Sequence, residues 1–140
     1  MISEEGLQQF LDLIVNEDYR GITDQFEENA IFSDPLFPKS PITGNTRIAK
    51  AFSQVLALAE ASTFEITTFS ATKQIAMAEV STYHRYKGGF EAKYMQAFVL
   101  EFGATGKIQR ANVYNDIRVR DIPSILASPL RNLFRSEPRE

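Results

Sequence analysis

At 140 residues the chain has room for one domain. Its hydrophobic content of 44% is enough for a core, and a net charge of -3 without a basic run argues against binding nucleic acid through its phosphates. The absence of Cys removes disulfide, thiolate and zinc-thiolate chemistry, and a single His, His84, excludes a histidine-rich metal centre.

Ser3 before Glu4 and Glu5 reads as a helix start, with a capping hydroxyl and two acids at the positive end of the helix dipole. Leu7, Phe10, Leu11, Ile14 and Val15 follow at three-four spacing, which predicts one buried face. A second helix is expected from Tyr19 to about Glu28, with Ile22 and Phe26 inward. "AIFSD" reads as a short strand. The proline-rich stretch 35–41 is read as irregular. Thr46 is expected to cap a third helix running to about Ala61, with Ile48, Phe52, Val55 and Leu56 on its inner face.

The remainder reads as sheet. "TFEITTFSATK" alternates, and "QIAMAEVSTYHRY", "FEAKYMQAFVLEF" and "KIQRANVYNDIRV" are rich in strand formers. Helices first and strands afterwards predict an α+β fold with a mostly antiparallel sheet. Gly88-Gly89 is taken as a two-residue hairpin turn. It would pair Tyr83 with Tyr94, Ser81 with Gln96 and Glu79 with Phe98. One face then carries Ser81, Tyr83, Tyr94, Gln96, Phe98, Leu100, Ala111, Val113 and Asn115. The other carries Val80, Thr82, His84, Met95, Ala97, Val99, Asn112 and Tyr114. Its centre is also apolar, which predicts a homodimer through the outer sheet face. No apolar run approaches the ~20 residues of a membrane span. The acidic start "MISEEGLQQF" lacks the pattern of a signal peptide. A cytoplasmic protein with no membrane or nucleic-acid partner is expected.

Asp34 ends an apolar run, directly before a proline. In local terms it is a turn residue, accepting a bond from a backbone N–H. The stretch "EDYRGITDQFEENAIFSDPLFPKSPITG", the helix beginning "NTRIAKAF" and the closing "GKIQRANVYND" carry a further signal. Over residues 5 to about 119 the chain resembles the NTF2-like superfamily of cone-shaped domains, in its ketosteroid-isomerase and SnoaL-like branch. The resemblance implies three helices over a strongly bent sheet, an apolar pocket, and no metal or cofactor. The domain is expected over residues 1–120, and 121–140, with two early prolines before "LRNLFRSEPRE", reads as an extension, a short helix or frayed tail.

In ketosteroid isomerases the Asp of "DP" is the general base, so the resemblance puts a catalytic acid/base on Asp34. The handed-down partners are missing: the position of the oxyanion Tyr falls on Phe10, and that of the second Asp on Phe98. The epoxide-hydrolase branch sets an Asp-Arg-Asp group in the cavity; Arg85 falls on the concave register, without a second Asp. The polyketide-cyclase branch uses a His and an Asp, and this register turns His84 outward. Expected pocket residues are Phe10, Ile14, Phe32, Phe52, Tyr83, Tyr94, Gln96, Phe98, Val113 and Asn115. Expected function is a cofactor-free isomerase, cyclase or lyase on an apolar carbonyl-bearing small molecule. The alternative is a ligand-binding or dimerisation module that kept the cone without the chemistry.

Overall fold

Ser3 starts the first helix as its sequence requires. Its hydroxyl accepts the Gly6 N–H at 3.0 Å, and α1 (Glu4–Val15) buries Leu7, Phe10, Leu11 and Ile14 while Val15 turns to solvent. The Asp18 carboxylate caps α2 (Tyr19–Gln25) by accepting the Gly21 N–H at 2.8 Å. This helix ends earlier than its pattern suggests, because Phe26 is extended and opens β1 (Phe26–Ser33). Burial decides the matter: Phe26 is among the most deeply enclosed side chains of the core. A short β2 (Ile42–Thr43) emerges from the proline-rich stretch, and α3 (Asn45–Leu56) follows, with Gly44 rather than Thr46 at its cap. The long strands are β3 (Ala59–Ala71), β4 (Ile75–Tyr86), β5 (Glu91–Phe102) and β6 (Ile108–Asp116).

The computed structural model describes residues 1–116. The expected extension 121–140 lies outside the described residues. The strands form one sheet in the order β2-β1-β6-β5-β4-β3, parallel between β1 and β6 and antiparallel elsewhere. Register shifts within β3–β4, β5–β6 and β1–β6 mark irregularities that help to bend it. The helices cover one face: α1 packs on β3, α2 and α3 pack on β1 and on each other. Three helices on a bent, mostly antiparallel sheet are the architecture that the order of elements predicts. Among the described residues no helix is long and apolar enough to cross a membrane.

One register differs from expectation. The β4–β5 hairpin closes through three residues, not two: Tyr86 N–H donates to the Phe90 carbonyl at 2.7 Å across Lys87, Gly88 and Gly89. Both glycines have positive φ, 96° and 87°, so the Gly-Gly pair is used within a longer loop. Tyr83 therefore pairs with Lys93, and Thr82 pairs with Tyr94. A shift of one residue exchanges the two faces of β4. Val80, Thr82, His84 and Tyr86 turn inward and are buried; Ser81, Tyr83 and Arg85 turn outward. Arg85 forms an exposed ion pair with Glu60 at 3.4 Å. The pairing of β5 with β6 sets Phe98 opposite Val113 and Gln96 opposite Asn115, which preserves the predicted faces of these two strands.

A Cβ added at Gly89 would meet nothing within 4 Å, yet its φ is +87°. Gly89→Ala is expected to destabilise by about 1–2 kcal/mol through backbone conformation alone. Urea unfolding checks this; an unchanged midpoint would contradict the three-residue loop.

Candidate active site

The closed end of the cone is packed with phenylalanine. Phe10, Phe26, Phe32, Phe37 and Phe52 contact one another with centroids 4.9–6.5 Å apart, mostly edge to face. Phe10 belongs to this cluster, and does not line the cavity as expected. Beyond the cluster lies a mostly apolar pocket with a cavity volume of about 50 Å³. Of the expected residues, Ile14, Phe32, Asp34, Phe52, Tyr94, Gln96, Phe98 and Val113 line it. Tyr83 does not: the β4 register turns it to the surface, where its hydroxyl donates to Glu91 at 2.8 Å.

Asp34 is only 3% exposed. Its Oδ1 accepts two bonds, from the Leu36 N–H at 2.9 Å and from Asn115 Nδ2 at 2.9 Å. Its own N–H donates to Ser40 Oγ at 2.9 Å, which fastens the loop behind it. The local reading and the pocket reading thus coexist: Asp34 closes a turn and lines the cavity. Among the described residues no hydrogen bond reaches Oδ2. Burial holds its carboxyl above the ordinary carboxylate range, although the Leu36 and Asn115 hydrogen bonds pull the other way.

Asn115 is half-buried and supports Asp34 rather than lining the cavity. It ends a chain of side chains across the sheet. Thr82 Oγ1 donates to Gln96 Oε1 at 2.7 Å, Gln96 Nε2 donates to Asn115 Oδ1 at 2.6 Å, and Asn115 donates to Asp34. Every link is satisfied, which is the condition for a buried polar network to be stable.

Two polar residues of the pocket were not among those expected there. His84 and Tyr86 both line it, a consequence of the hairpin register. His84 Nδ1 is 2.7 Å from Ser62 Oγ, and its ring sits among Phe64, Tyr86 and Tyr94 at 5.7–6.0 Å. Burial lowers its pKa to about 4, so it is neutral at pH 7. Burial also pushes the Tyr86 and Tyr94 phenols upward; for Tyr94 the charges of Tyr86 and Asp34 add to the effect. Both phenols are protonated at pH 7 and able to donate. An alternation of Val80, Thr82, His84 and Tyr86 was present in the sequence, but only the loop length assigns it to a face. Among the described residues no group of three or more His, Asp or Glu comes together as a metal site.

The buried His84 makes a prediction about stability. Between pH 6.5 and about 4 the unfolded chain binds a proton at this residue that the folded chain does not. Its contribution is therefore complete above pH 6.5 and lost as pH falls through that window. Relative to His84→Gln, the wild type is expected to lose on the order of 3 kcal/mol between pH 7 and pH 4. Urea unfolding at both pH values measures it; a difference independent of pH would contradict a buried neutral imidazole.

Comparison with known proteins adds the family. The SnoaL-like domain matches residues 7–111. No curated protein sequence matches the chain. A Catenulispora acidiphila protein of ketosteroid isomerase-like fold, solved with trimethylamine, superposes with a TM-score of 0.75 at 14% identity over 92% of this chain and 97% of that one. A Mycobacterium tuberculosis LEH-like epoxide hydrolase gives 0.70 at 18% identity over 94% and 95%. A second M. tuberculosis protein, in complex with estradiol-17beta-hemisuccinate, gives 0.68 at 15% identity over 81% and 92%. At these identities the likeness is one of fold, and the same fold carries divergent chemistry. With residues 7–111 matched and three helices on the bent sheet described above, the chain belongs to the SnoaL-like domain family of the NTF2-like superfamily.

Proposed function

We propose that the protein is a cofactor-free isomerase, cyclase or lyase acting on an apolar carbonyl-bearing small molecule, with Asp34 as general acid/base. The observation that carries this reading is the state of Asp34: a desolvated carboxylate in an apolar pocket, with Oδ1 held by Asn115 and Leu36. A raised carboxyl pKa makes a stronger base and brings it closer to the working pH. In this mechanism Oδ2 takes a proton from the carbon next to the substrate carbonyl. The electron pair of that C–H bond moves into the carbonyl, giving an enolate. Tyr94, protonated and electrostatically coupled to Asp34, donates its O–H to the enolate oxygen. From a β,γ-unsaturated ketone the enolate is a dienolate, and Asp34 returns the proton to its γ-carbon, which completes an isomerisation; alternatively the enolate carbon attacks a second carbonyl carbon and Asp34 gives the proton to the resulting alkoxide, which closes a ring.

The phenylalanines at positions 10 and 98 stand where the resemblance expects oxyanion donors, and this favours the alternative of a ligand-binding module. The outer sheet face supports dimerisation under either reading. Met77 and Tyr114 are 52% and 58% exposed there, beside half-buried Met95, Ala97 and Val99. A homodimer would cover an apolar area that a monomer leaves in water.

Exchange of α-protons of cyclic enones in D2O, followed by NMR, separates enzyme from binder. Asp34→Asn keeps an acceptor for the Leu36 N–H and is expected to lower exchange by at least ~10²-fold, within the range for general acid–base catalysis. Tyr94→Phe is expected to lower it by ~10²-fold or more, as for one oxyanion donor. Exchange unaffected by Asp34→Asn, in a variant that keeps its circular dichroism, would rule out the acid/base role.

A further inference from the structure

A second concavity, of about 460 Å³, adjoins the pocket, with Val55 in the lining of both. It is formed between the outer face of α3 and the loop that follows Asp34. Arg47, Lys50 and Gln54 project from α3 at helical spacing, Lys39 comes from the loop and Thr43 from β2. All five are exposed. The three cations have no carboxylate among the residues lining this groove, and none is in an ion pair with a described residue. This is unusual for the chain, because residues 1–116 hold ten Lys and Arg against fifteen Asp and Glu. The sequence beyond is a poor match for the groove: Arg118, Arg120, Arg131, Arg135 and Arg139 outnumber Asp121, Glu137 and Glu140.

The groove and the cavity share a wall. Val55 lines both. Leu36 and Phe37 face the cavity, and Pro38 and Lys39, next in the chain, face the groove. The cavity itself, about 50 Å³, has room for the reactive end of a molecule and not for a long one. Its mostly apolar lining and the buried carboxyl of Asp34 disfavour a second anion there. A substrate that enters with its neutral end leaves the rest outside the cavity, and the groove that holds the three cations shares a wall with that cavity.

We infer that the groove of Lys39, Arg47 and Lys50 binds an anionic group, a carboxylate or phosphate, carried on the tail of the same molecule whose neutral end enters the Asp34 pocket. The substrate class is then an amphiphilic anion. This rests on the pocket being a small-molecule site, and the test separates the two claims.

The probes are a cyclic enone bearing an alkyl tail ended in a carboxylate, its phosphate counterpart, and the same molecule ended in a neutral amide. Each is titrated into the full chain while backbone amide shifts are followed by NMR. The anionic probes are expected to shift pocket amides, such as Phe52 and Val113, together with groove amides, such as Arg47 and Gln54. The amide probe should shift the pocket set alone and bind about tenfold more weakly, the sum expected from a few exposed ionic contacts. The Lys39→Gln, Arg47→Gln, Lys50→Gln triple variant should remove that advantage and leave the amide probe's affinity unchanged; raised salt should do the same. A larger gain for phosphate than for carboxylate would name the natural anion. Equal affinity of charged and neutral probes, with pocket shifts only, would overturn the groove and leave the pocket reading standing. Groove shifts without pocket shifts, or no shifts at all, would overturn the inference and count against the pocket as well.

Discussion

The hydrogen bond from Asn115 to Asp34 has a direction that two earlier donors, Thr82 and Gln96, impose on it. Thr82 gives its hydroxyl proton to Gln96, so Gln96 presents its amide N–H to Asn115, and Asn115 presents its own to Asp34. A chain of that polarity has to end on an acceptor. Asp34 Oδ1 is that acceptor, and it already accepts from Leu36 as well. It stays unprotonated whichever state the carboxyl is in. A proton taken up by Asp34 therefore belongs on Oδ2. The network spans β4, β5, β6 and the loop after β1, so the strand registers and the orientation of the carboxylate depend on each other.

The rest of the pocket follows from how the core is filled. The phenylalanine cluster closes the narrow end of the cone, and Phe98 continues the apolar wall at its edge. These rings keep water from the carboxylate, which is what raises its pKa. They also remove the donors that the family resemblance expects at Phe10 and Phe98. The polar groups that remain come from the open side: Tyr94 on β5, with Tyr86 and His84 on β4. Each is kept in its neutral, protonated or unionised form by the same burial. The site thus concentrates one ionisable acid among neutral donors.

Much of this was legible in the sequence. The cap at Ser3, the three-four spacing of α1 and the alternation of the long strands give the element order directly. The position of Asp34 before a proline, and its place in the resemblance, drew attention to a carboxylate that is buried and lines the pocket. The inward face of β4 was not legible. A Gly-Gly pair is compatible with loops of two or three residues, and the two choices send opposite faces inward. His84 and Tyr86 were lost, and Tyr83 gained, by that single ambiguity. The end of α2 at Phe26 was hidden for a related reason. A phenylalanine at helical spacing fits an inner helix face as well as the first residue of a buried strand. The basic groove was invisible because Lys39, Arg47 and Lys50 come together only when the proline-rich loop folds against α3.

The central claim is that Asp34 is a desolvated carboxylate, held at Oδ1 by Asn115. Carbon-detected NMR titration of its carboxyl, assigned with Asp34→Asn, tests it most directly. The midpoint is expected clearly above the ordinary ~3.9 of an aspartate, rising further in Asn115→Ala as a donor to the charged form is lost. A midpoint at or below the ordinary value, unmoved by Asn115→Ala, would show a solvated turn residue and contradict the account.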